Sequence, residues 1–306
     1  MKHAVVTGAT GFIAIHLIDQ LLQDGYHVDA IVRPASVHLE RLVKHERLNL
    51  IELDMQDIAH LKEKLTSEVD EFYHLAWEGA RFPLNENQTL QNTNYLASLD
   101  ALKTAIECGC KTFVGAGSQA EYGPTQSEIS ESSPLNPVSE YGKSKLRMFT
   151  EGSALAESKG IRFIWARIFS VYGEDDFPGT LIMTCIRKML NQEDIQLGPC
   201  TQDWDYIYVD DAAQSLKRLS RSDCPSGAYN IASGVSRPLI DFVLKMKEII
   251  QSKSMLHFKT VDAHENSRVN LKPSIAKLYK ALKWKPDTGF DYGIERIILS
   301  MKEKQP

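Results

Sequence analysis

The chain of 306 residues is 43% hydrophobic and 25% charged, a balance typical of folded globular proteins rather than disordered ones. Its net charge of −5 argues against a protein that binds DNA or RNA, because such proteins usually carry a strongly basic face. The five cysteines lack paired metal-ligand spacing, and no apolar stretch approaches the length of a membrane span. The composition therefore predicts a cytoplasmic protein with reduced thiols and without membrane or nucleic-acid partners.

The chain begins with a short apolar strand at residues 4–6 that runs into the glycine-rich turn TGATGFIA at residues 7–14. After the turn, apolar residues recur at helical spacing, at Ile13, Leu17, Ile18, Leu21 and Leu22. Gly8 permits a tight turn, and Gly11 lets the backbone approach a pyrophosphate that the N–H groups at the helix N-terminus can bind. Similar turns also occur without ligands, so the turn alone leaves a dinucleotide site and a plain connection both open.

Five more apolar segments are typical of strands, and helical patterns separate them. The strands are expected at residues 26–33, 48–54, 71–77, 111–117 and 161–169, with helices at about 92–107 and from about Ser139. Strands that alternate with helices imply right-handed βαβ units and a parallel sheet. The predicted fold class is therefore α/β, with a doubly wound parallel sheet of the Rossmann type.

Beyond about Gly173 the alternation weakens, and Pro and Gly become more frequent. The segments DIQLG, WDYIYVDD and GAYNIASG, at residues 194–198, 204–211 and 227–234, are typical of short strands and loops. They predict a smaller C-terminal α/β lobe over the carboxyl ends of the strands, where open α/β sheets bind ligands. We expect residues 1–172 to form a dinucleotide-binding domain, and residues 173–306 to form mostly a substrate lobe with some segments that return to the first domain.

The segment YGKSK places Tyr141 and Lys145 on one face of a predicted helix. A lysine charge near a phenol favours the phenolate, so the pair predicts a tyrosine with a lowered pKa that can exchange protons near neutrality. Tyr279 and Lys283 have the same spacing, so spacing alone does not decide. Ser118 distinguishes the first pair, because it ends the fifth strand and can donate a hydrogen bond in the same pocket.

With these residues in place, the chain resembles the extended short-chain dehydrogenase/reductases that act on nucleotide sugars, and in particular their 4-ketoreductases. The motifs that carry the resemblance are TGATGFIA at 7–14, HLA at 74–76, SQAEYG at 118–123, YGKSK at 141–145, RIFSVYG at 167–173 and YNIASG at 229–234. The resemblance implies an NAD(P)-dependent oxidoreductase that uses Ser118, Tyr141 and Lys145 in catalysis. It also implies a C-terminal lobe that holds a nucleotide diphosphate.

The cofactor is expected to be NADP(H), with NAD(H) possible. Proteins that prefer NAD place an acid at the end of the second strand to bind the ribose, whereas this chain has Arg33 there, which attracts a 2′-phosphate. Together, the turn and the resemblance imply a set of residues around the cofactor: Gly8, Thr10, Gly11, Phe12, Ile13, Arg33, Asp54, Met55, Leu75, Ala76, Tyr141, Lys145 and Phe169.

The chain also departs from the family pattern. Gln119 and Ala120 follow Ser118 where the sugar dehydratases carry an acidic pair, which argues against dehydration. On the substrate side, four residues are implied: Trp77 in place of a small residue, Ser118, Trp204 in place of a diphosphate-binding arginine, and Arg268, which matches another family arginine. The histidines show no metal-ligand spacing, so no metal is expected.

Three functions follow as hypotheses. The first is NADPH-dependent reduction of a nucleotide-activated 4-keto-6-deoxyhexose, a step of deoxysugar biosynthesis for surface polysaccharide. A nucleotide-sugar 4-epimerase with retained NAD is the second, and Arg33 argues against it because a 2′-phosphate has no use there. A non-catalytic dinucleotide sensor is the third, and the set of Ser118, Tyr141 and Lys145 argues against it.

A homodimer through a four-helix bundle is also expected, because two helices are more apolar than one sheet face needs. Their apolar residues are Leu96, Leu99, Leu102, Leu146, Met148, Phe149, Leu155 and Ala156.

Overall fold

The computed structural model describes residues 2–65, 67–259 and 270–303. Its strands, in chain order, are β1 (His3–Thr7), β2 (His27–Val32), β3 (Leu48–Glu52), β4 (Glu71–His74), β5 (Thr112–Ser118), β6 (Arg162–Ile168), β7 (Ser170–Tyr172), β8 (Ile195–Leu197), β9 (Asp203–Trp204), β10 (Tyr206–Tyr208), β11 (Gly227–Ile231), β12 (Arg237–Pro238) and β13 (Leu256–Phe258). The α-helices are α1 (Phe12–Gln23), α2 (Gln88–Glu107), α3 (Glu140–Lys159), α4 (Leu181–Leu190), α5 (Val209–Arg221), α6 (Leu239–Ile250), α7 (Ala276–Leu282) and α8 (Phe290–Glu303).

The main sheet has seven parallel strands in the order β11-β6-β5-β4-β1-β2-β3. The strand order reverses between β1 and β4, so the loops after these two strands leave in opposite directions and open a crevice at the carboxyl edge. Thr7 at the end of β1 pairs in register with Ile31 of β2 on one side and His74 of β4 on the other. This sheet confirms the predicted α/β doubly wound fold.

Helices cover both faces of the sheet, which is why inner strands such as β1 and β5 are buried along their whole length. Along β1, Ala4 and Val6 face one layer, whereas Val5 faces the other. The first layer contains α1, α5 and α7, and the second contains α2, α3 and a 3₁₀ segment at Met55–Lys64. In strands buried on both faces, successive side chains therefore point to the two cores in turn, rather than to core and solvent.

Two connections differ from the helices that the sequence predicted. Between β2 and β3 the chain forms only a short 3₁₀ turn at Leu39–Arg41, and between β3 and β4 it forms the 3₁₀ segment Met55–Lys64. The second segment buries Ile58 and Leu61, which are three residues apart and therefore lie on one face of a 3₁₀ helix. The prediction of α-helices between these strands was wrong, because the apolar spacing here has a period of three.

A third core, in the C-terminal part of the chain, is built from α4, α6 and α8 around Tyr172, Ile195 and Tyr208. Short strand pairs, β7 with β10, β8 with β13 and β9 with β12, belong to this region. The segment 227–234, predicted for the smaller lobe, instead places β11 at the edge of the main sheet beside β6. The division at residue 172 stays a prediction, although the return of a later segment to the sheet was expected.

Two predictions about the whole chain can be compared with the structure. All five cysteines are free, as expected for reduced thiols. Across residues 2–65, 67–259 and 270–303, no helix combines the length and apolarity needed to span a bilayer.

Candidate active site

The glycine-rich turn joins β1 to α1 at the crevice. Gly8 has a φ of +67°, and a Cβ on it would lie 2.8 Å from the Cα of Ala76, so glycine is required both by conformation and by space. The Gly11 N–H donates to the Gly8 carbonyl at 2.8 Å, and Gly11 is the N-cap of α1. Among the described residues no side chain caps this helix end, which leaves its N–H groups suited to an anion.

A cavity of about 480 Å³ extends from this turn along the carboxyl edge of the sheet. Among the predicted cofactor and substrate residues, those that line it are Gly8, Thr10, Gly11, Arg33, Asp54, Met55, Leu75, Ala76 and Trp77. The structure thus brings the predicted residues that follow four strands, β1 to β4, into one cleft. The other predicted cofactor contacts, Phe12, Ile13, Tyr141, Lys145 and Phe169, are not part of its lining, and their roles stay predictions.

Two arginines contribute positive charge to the lining of the cavity. Arg33 lies exposed after β2, and His38 and Arg41 of the following loop line the same cavity. Sequence reasoning selected Arg33 alone, because it stands at the end of the second strand, where proteins that prefer NAD place an acid. The acid Asp54 also lines the cavity, and its Oδ1 accepts the Gln56 N–H at 3.0 Å to cap the 3₁₀ segment.

His74 lies in the floor of the cavity and joins three elements. Its Nδ1 lies 2.9 Å from Thr7 Oγ1 and its Nε2 lies 2.8 Å from Ser98 Oγ. Ser98 donates to the Asn94 carbonyl at 2.7 Å, so its oxygen accepts the Nε2–H of His74, and Thr7 donates to Nδ1. Burial, together with the charge of Lys145, lowers the pKa of His74 to about 3, so the imidazole is neutral and structural, as predicted.

The three predicted catalytic residues come from β5 and the first turns of α3. Ser139 caps α3 by accepting the Gly142 N–H at 3.1 Å. A Cβ on Gly142 would lie 2.6 Å from the Ala120 carbonyl, so this glycine lets the helix approach the loop after β5. Tyr141 consequently lies close enough to Ser118 for the serine side chain to influence the pKa of its phenol.

The pKa of Tyr141 contradicts one expectation. Burial raises it to about 12, although the hydrogen bond from Ser118 opposes the rise. The predicted lowering by Lys145 is wrong in this structure, because the ammonium group is directed elsewhere. Tyr141 is therefore a protonated phenol at neutral pH.

Lys145 is 3% exposed, and its Nζ donates to the Ala116 carbonyl at 2.6 Å. The same nitrogen lies 3.6 Å from the ring centroid of Trp77 and 5.8 Å from that of Tyr141. Burial lowers the pKa of Lys145 to about 7, against the negative charge of Glu121. The tryptophan face stabilises the charged form by a cation–π interaction.

Trp77 owes its position to Gln91. Its indole N–H donates to Gln91 Oε1 at 2.8 Å, while the Gln91 amide donates to the carbonyls of Gly79 and Leu84 at 2.8 and 2.9 Å. The ring meets that of Tyr141 edge to face, with the centroids 5.9 Å apart. Trp77 therefore contacts both Lys145 and Tyr141, which sequence reasoning did not anticipate.

A buried ion pair supports the catalytic residues from below. Glu121 is fully buried, and its Oε2 lies 2.8 Å from Arg167 Nε. The other oxygen of Glu121 accepts the backbone N–H of Ser118 at 2.8 Å and the indole N–H of Trp165 at 2.9 Å. The pair thus fixes the end of β5, and the Glu121 charge reaches Tyr141 as well as Lys145. Only the presence of a charged residue inside an apolar segment signals it in the sequence.

On the substrate side, Arg81 in the loop after β4 was also missed. Its charge lowers the pKa of Tyr141. The guanidinium carbon lies 4.6 Å from the Phe177 ring centroid, and Nη2 lies 4.0 Å from Asp176 Oδ1. Because its side chain is 62% exposed, Arg81 can meet an anionic ligand at the mouth of the site.

The other predicted substrate residues lie apart from this cluster or outside the structure. Trp204, half-buried in β9, pairs in register with Arg237 of β12. The Arg237 guanidinium stacks over the Phe242 ring, 4.1 Å from its centroid. Arg268 lies outside the described residues. The role of Trp204 stays a prediction.

Relatives of the chain act on nucleotide sugars, as their names record. It is 28% identical over 309 residues to a Bacillus subtilis protein named as an uncharacterized UDP-glucose epimerase, covering 96% of both chains. It is 27% identical over 317 residues to the CDP-abequose synthase of Salmonella muenchen, covering 99% of this chain and 98% of the relative.

Solved structures have the same fold. The UDP-glucose 4-epimerase of Thermotoga maritima superposes with a TM-score of 0.89 at 21% identity, covering 99% of this chain and all of the other. The UDP-N-acetylglucosamine 4-epimerase of Methanobrevibacter ruminantium matches with a TM-score of 0.89 at 25% identity, covering 99% of each chain. The model of the NAD-dependent epimerase/dehydratase family matches residues 4–232, which include the glycine turn, the cavity and the predicted catalytic residues. The chain is therefore a member of the NAD-dependent epimerase/dehydratase family and an NAD(P)-dependent enzyme that acts on nucleotide sugars.

Proposed function

We propose that the protein reduces a nucleotide-activated 4-keto-6-deoxyhexose with NADPH. The observation that carries this proposal is that Arg33, His38 and Arg41 all line the cavity, where the two arginines supply positive charge. A 2′-phosphate is the part of NADP(H) that such a group recognises, and NADPH is the form that cells use for reduction. A resident cofactor that is only oxidised and re-reduced in place needs no such recognition.

The cavity fits the cofactor. The turn at Gly8 and the uncapped start of α1 would hold the pyrophosphate, and Asp54 with Met55 would flank the adenine. When bound, the nicotinamide supplies the hydride. Tyr141 and Lys145 would lie beside it, at the inner end of the crevice.

Residues of the chain itself would donate the proton that the reduced oxygen takes up. Tyr141 holds its proton at neutral pH because its pKa is about 12, which suits a donor to an alkoxide oxygen better than a base. Ser118 would hydrogen-bond the same oxygen. Lys145, with a pKa near 7, would carry a positive charge that Trp77 stabilises. This charge would give a positive potential around the phenol of Tyr141. Arg81 and Trp77 would contact the substrate.

A 4-epimerase with retained NAD is the second candidate, and one finding favours it: several of the similar solved proteins are 4-epimerases, among them those of Thermotoga maritima and Methanobrevibacter ruminantium. An epimerase needs Tyr141 as a base in the first half of each cycle, which the raised pKa of the phenol disfavours. The third candidate, a non-catalytic sensor, does not require a serine beside the phenol of Tyr141.

The test combines turnover with cofactor choice. Purified protein is mixed with NADPH and a panel of dTDP-, GDP-, CDP- and UDP-linked 4-keto-6-deoxy sugars while NADPH absorbance is followed. We expect stoichiometric oxidation with one of them and its loss in Tyr141→Phe. No consumption, together with interconversion of UDP-hexoses by protein that carries NAD, would favour the epimerase.

Cofactor preference is tested separately by direct titration. Arg33→Ala and Arg41→Ala should each weaken NADPH binding about tenfold or more while leaving NADH binding nearly unchanged, since each removes a charged hydrogen bond to the 2′-phosphate. Lys44→Ala is the matched control, because Lys44 is exposed in the same loop but does not line the cavity. A preference for NADH in the wild-type protein would reject the assignment to NADP(H).

The homodimer also stays a proposal. Leu96 of α2 is 48% exposed, and α2 packs beside α3, so the two helices offer a joint apolar surface for a symmetry mate. Leu96→Glu should convert a dimer to a monomer in light scattering. A wild-type mass that stays monomeric at all concentrations would contradict this arrangement.

A further inference from the structure

Three metal-binding side chains meet at the amino edge of the main sheet, opposite the cavity. His3 begins β1 and His27 begins β2, and the two residues pair in parallel register. Asp29 is two residues further along β2, so it projects from the same face of the sheet as His27. The register thus brings together residues that are far apart in sequence.

The distances are close to those of a metal site. His3 Nε2 lies 2.8 Å from Asp29 Oδ2, and His27 Nε2 lies 3.5 Å from Asp29 Oδ1. The three ligand atoms lie within 4.8 Å of one another. Ligand atoms about 2.0–2.2 Å from a tetrahedral zinc ion are separated by roughly 3.3 Å. Small side-chain rotations therefore suffice to place all three around one ion.

The surrounding hydrogen bonds determine how His3 is presented. Its Nδ1 lies 2.9 Å from the Glu68 carbonyl, which can only accept, and 2.9 Å from the Ser67 hydroxyl. With Nδ1–H donating to the carbonyl, Nε2 needs a proton or a metal ion between itself and the Asp29 carboxylate. Asn49 donates to Asp29 Oδ1 at 2.8 Å. A histidine whose second nitrogen donates to a backbone carbonyl is the usual form of a metal ligand.

We propose that His3, His27 and Asp29 form a zinc site. Two imidazoles and a carboxylate are the donors that Zn²⁺ accepts, and a site with three protein ligands leaves the fourth position to water. The His27 side chain is 32% exposed, which gives the ion an entry path, while those of His3 and Asp29 are 5% and 2% exposed. Because the site joins β1 to β2 away from the cavity, its role is to stabilise the sheet.

The full-length protein, stripped with EDTA and kept reduced, is titrated with ZnCl₂ by calorimetry. We expect one ion per chain and a rise in Tm of about 5 °C at a free zinc concentration of about 100 times Kd. Cobalt(II) should give the intensified visible bands of a four-coordinate site. His27→Ala should weaken zinc binding at least about tenfold and abolish the cobalt bands, because it removes one ligand.

The controls keep the result interpretable. His27→Ala leaves the contact between His3 and Asp29 in place, so its Tm in EDTA should equal that of the wild type. His60→Ala is the matched control, because His60 pairs with Glu63 on the surface away from the cluster and should leave zinc binding unchanged. No binding to the wild type, or equal binding by His27→Ala, would overturn the proposal. NADPH turnover is not needed for either readout, so failure of the proposed function leaves this test intact.

Discussion

Replacing Lys145 with methionine should change how stability depends on pH. In the folded protein the pKa of Lys145 is about 7, whereas an unfolded lysine has a pKa near 10.5. Between these values the unfolded chain binds a proton that the folded protein does not, so the stability of the wild type rises with pH. Burial of the lysine costs about 4 kcal/mol at pH 7 but only about 2 kcal/mol at pH 9.

The variant lacks this titration. The difference in unfolding free energy between Lys145→Met and the wild type should therefore shift by about 2 kcal/mol between pH 7 and pH 9, in favour of the wild type at the higher pH. Urea unfolding at both pH values measures it, provided that the m-values agree. The variant also loses the hydrogen bond to Ala116 and the contact with Trp77. These losses change the size of the difference in unfolding free energy but not its dependence on pH. Lys143→Met, exposed on the same helix, is the control. A difference that stays constant across this range would refute a lysine held near neutrality.

Further predictions concern the groups around the catalytic residues. Between pH 7 and pH 5 the protein should lose about 2 kcal/mol of stability through His74, because the pKa of this residue is about 3 in the folded protein and 6.5 in the unfolded chain. His74→Gln should reduce this pH dependence of the unfolding free energy, as measured by urea unfolding. Glu121→Gln should cost about 3–5 kcal/mol because it leaves the charge of Arg167 buried without a partner, and a loss under 1 kcal/mol in the same assay would contradict this. Gly142→Ala should displace α3 from the Ala120 carbonyl and lower kcat about a hundredfold with cofactor affinity retained, which steady-state kinetics and titration distinguish.

Local patterns predicted the parts of the site that depend on local geometry. The turn at Gly8 and Gly11 combines a special φ with a helix start, and Tyr141 with Lys145 shares one helix face; both arise within a few residues of chain. The strands of the main sheet were recognisable for the same reason. The connections between these strands were harder to predict, because a 3₁₀ segment follows from the spacing of single apolar residues such as Ile58 and Leu61.

Contacts across the sheet could not be predicted from one sequence. Glu121 meets Arg167 only because β5 and β6 are neighbours, and burial turns their charges into a determinant of the site. The raised pKa of Tyr141 has a similar origin, since desolvation depends on the packed surroundings and not on the spacing to Lys145. Arg81 could not be predicted as a site residue either, because its position depends on the contact between the loop after β4 and Phe177.

The position of β11 also has a consequence for how the chain folds during synthesis. β6 is complete at Ile168, but its outer neighbour begins only at Gly227, after β7–β10 and two helices have been made. Until Ile231 leaves the ribosome, the edge of β6 presents unpaired N–H and C=O groups that can pair with another chain. A fragment that stops shortly after Tyr172 keeps this open edge permanently, and we expect it to aggregate where a fragment ending beyond β11 stays in solution.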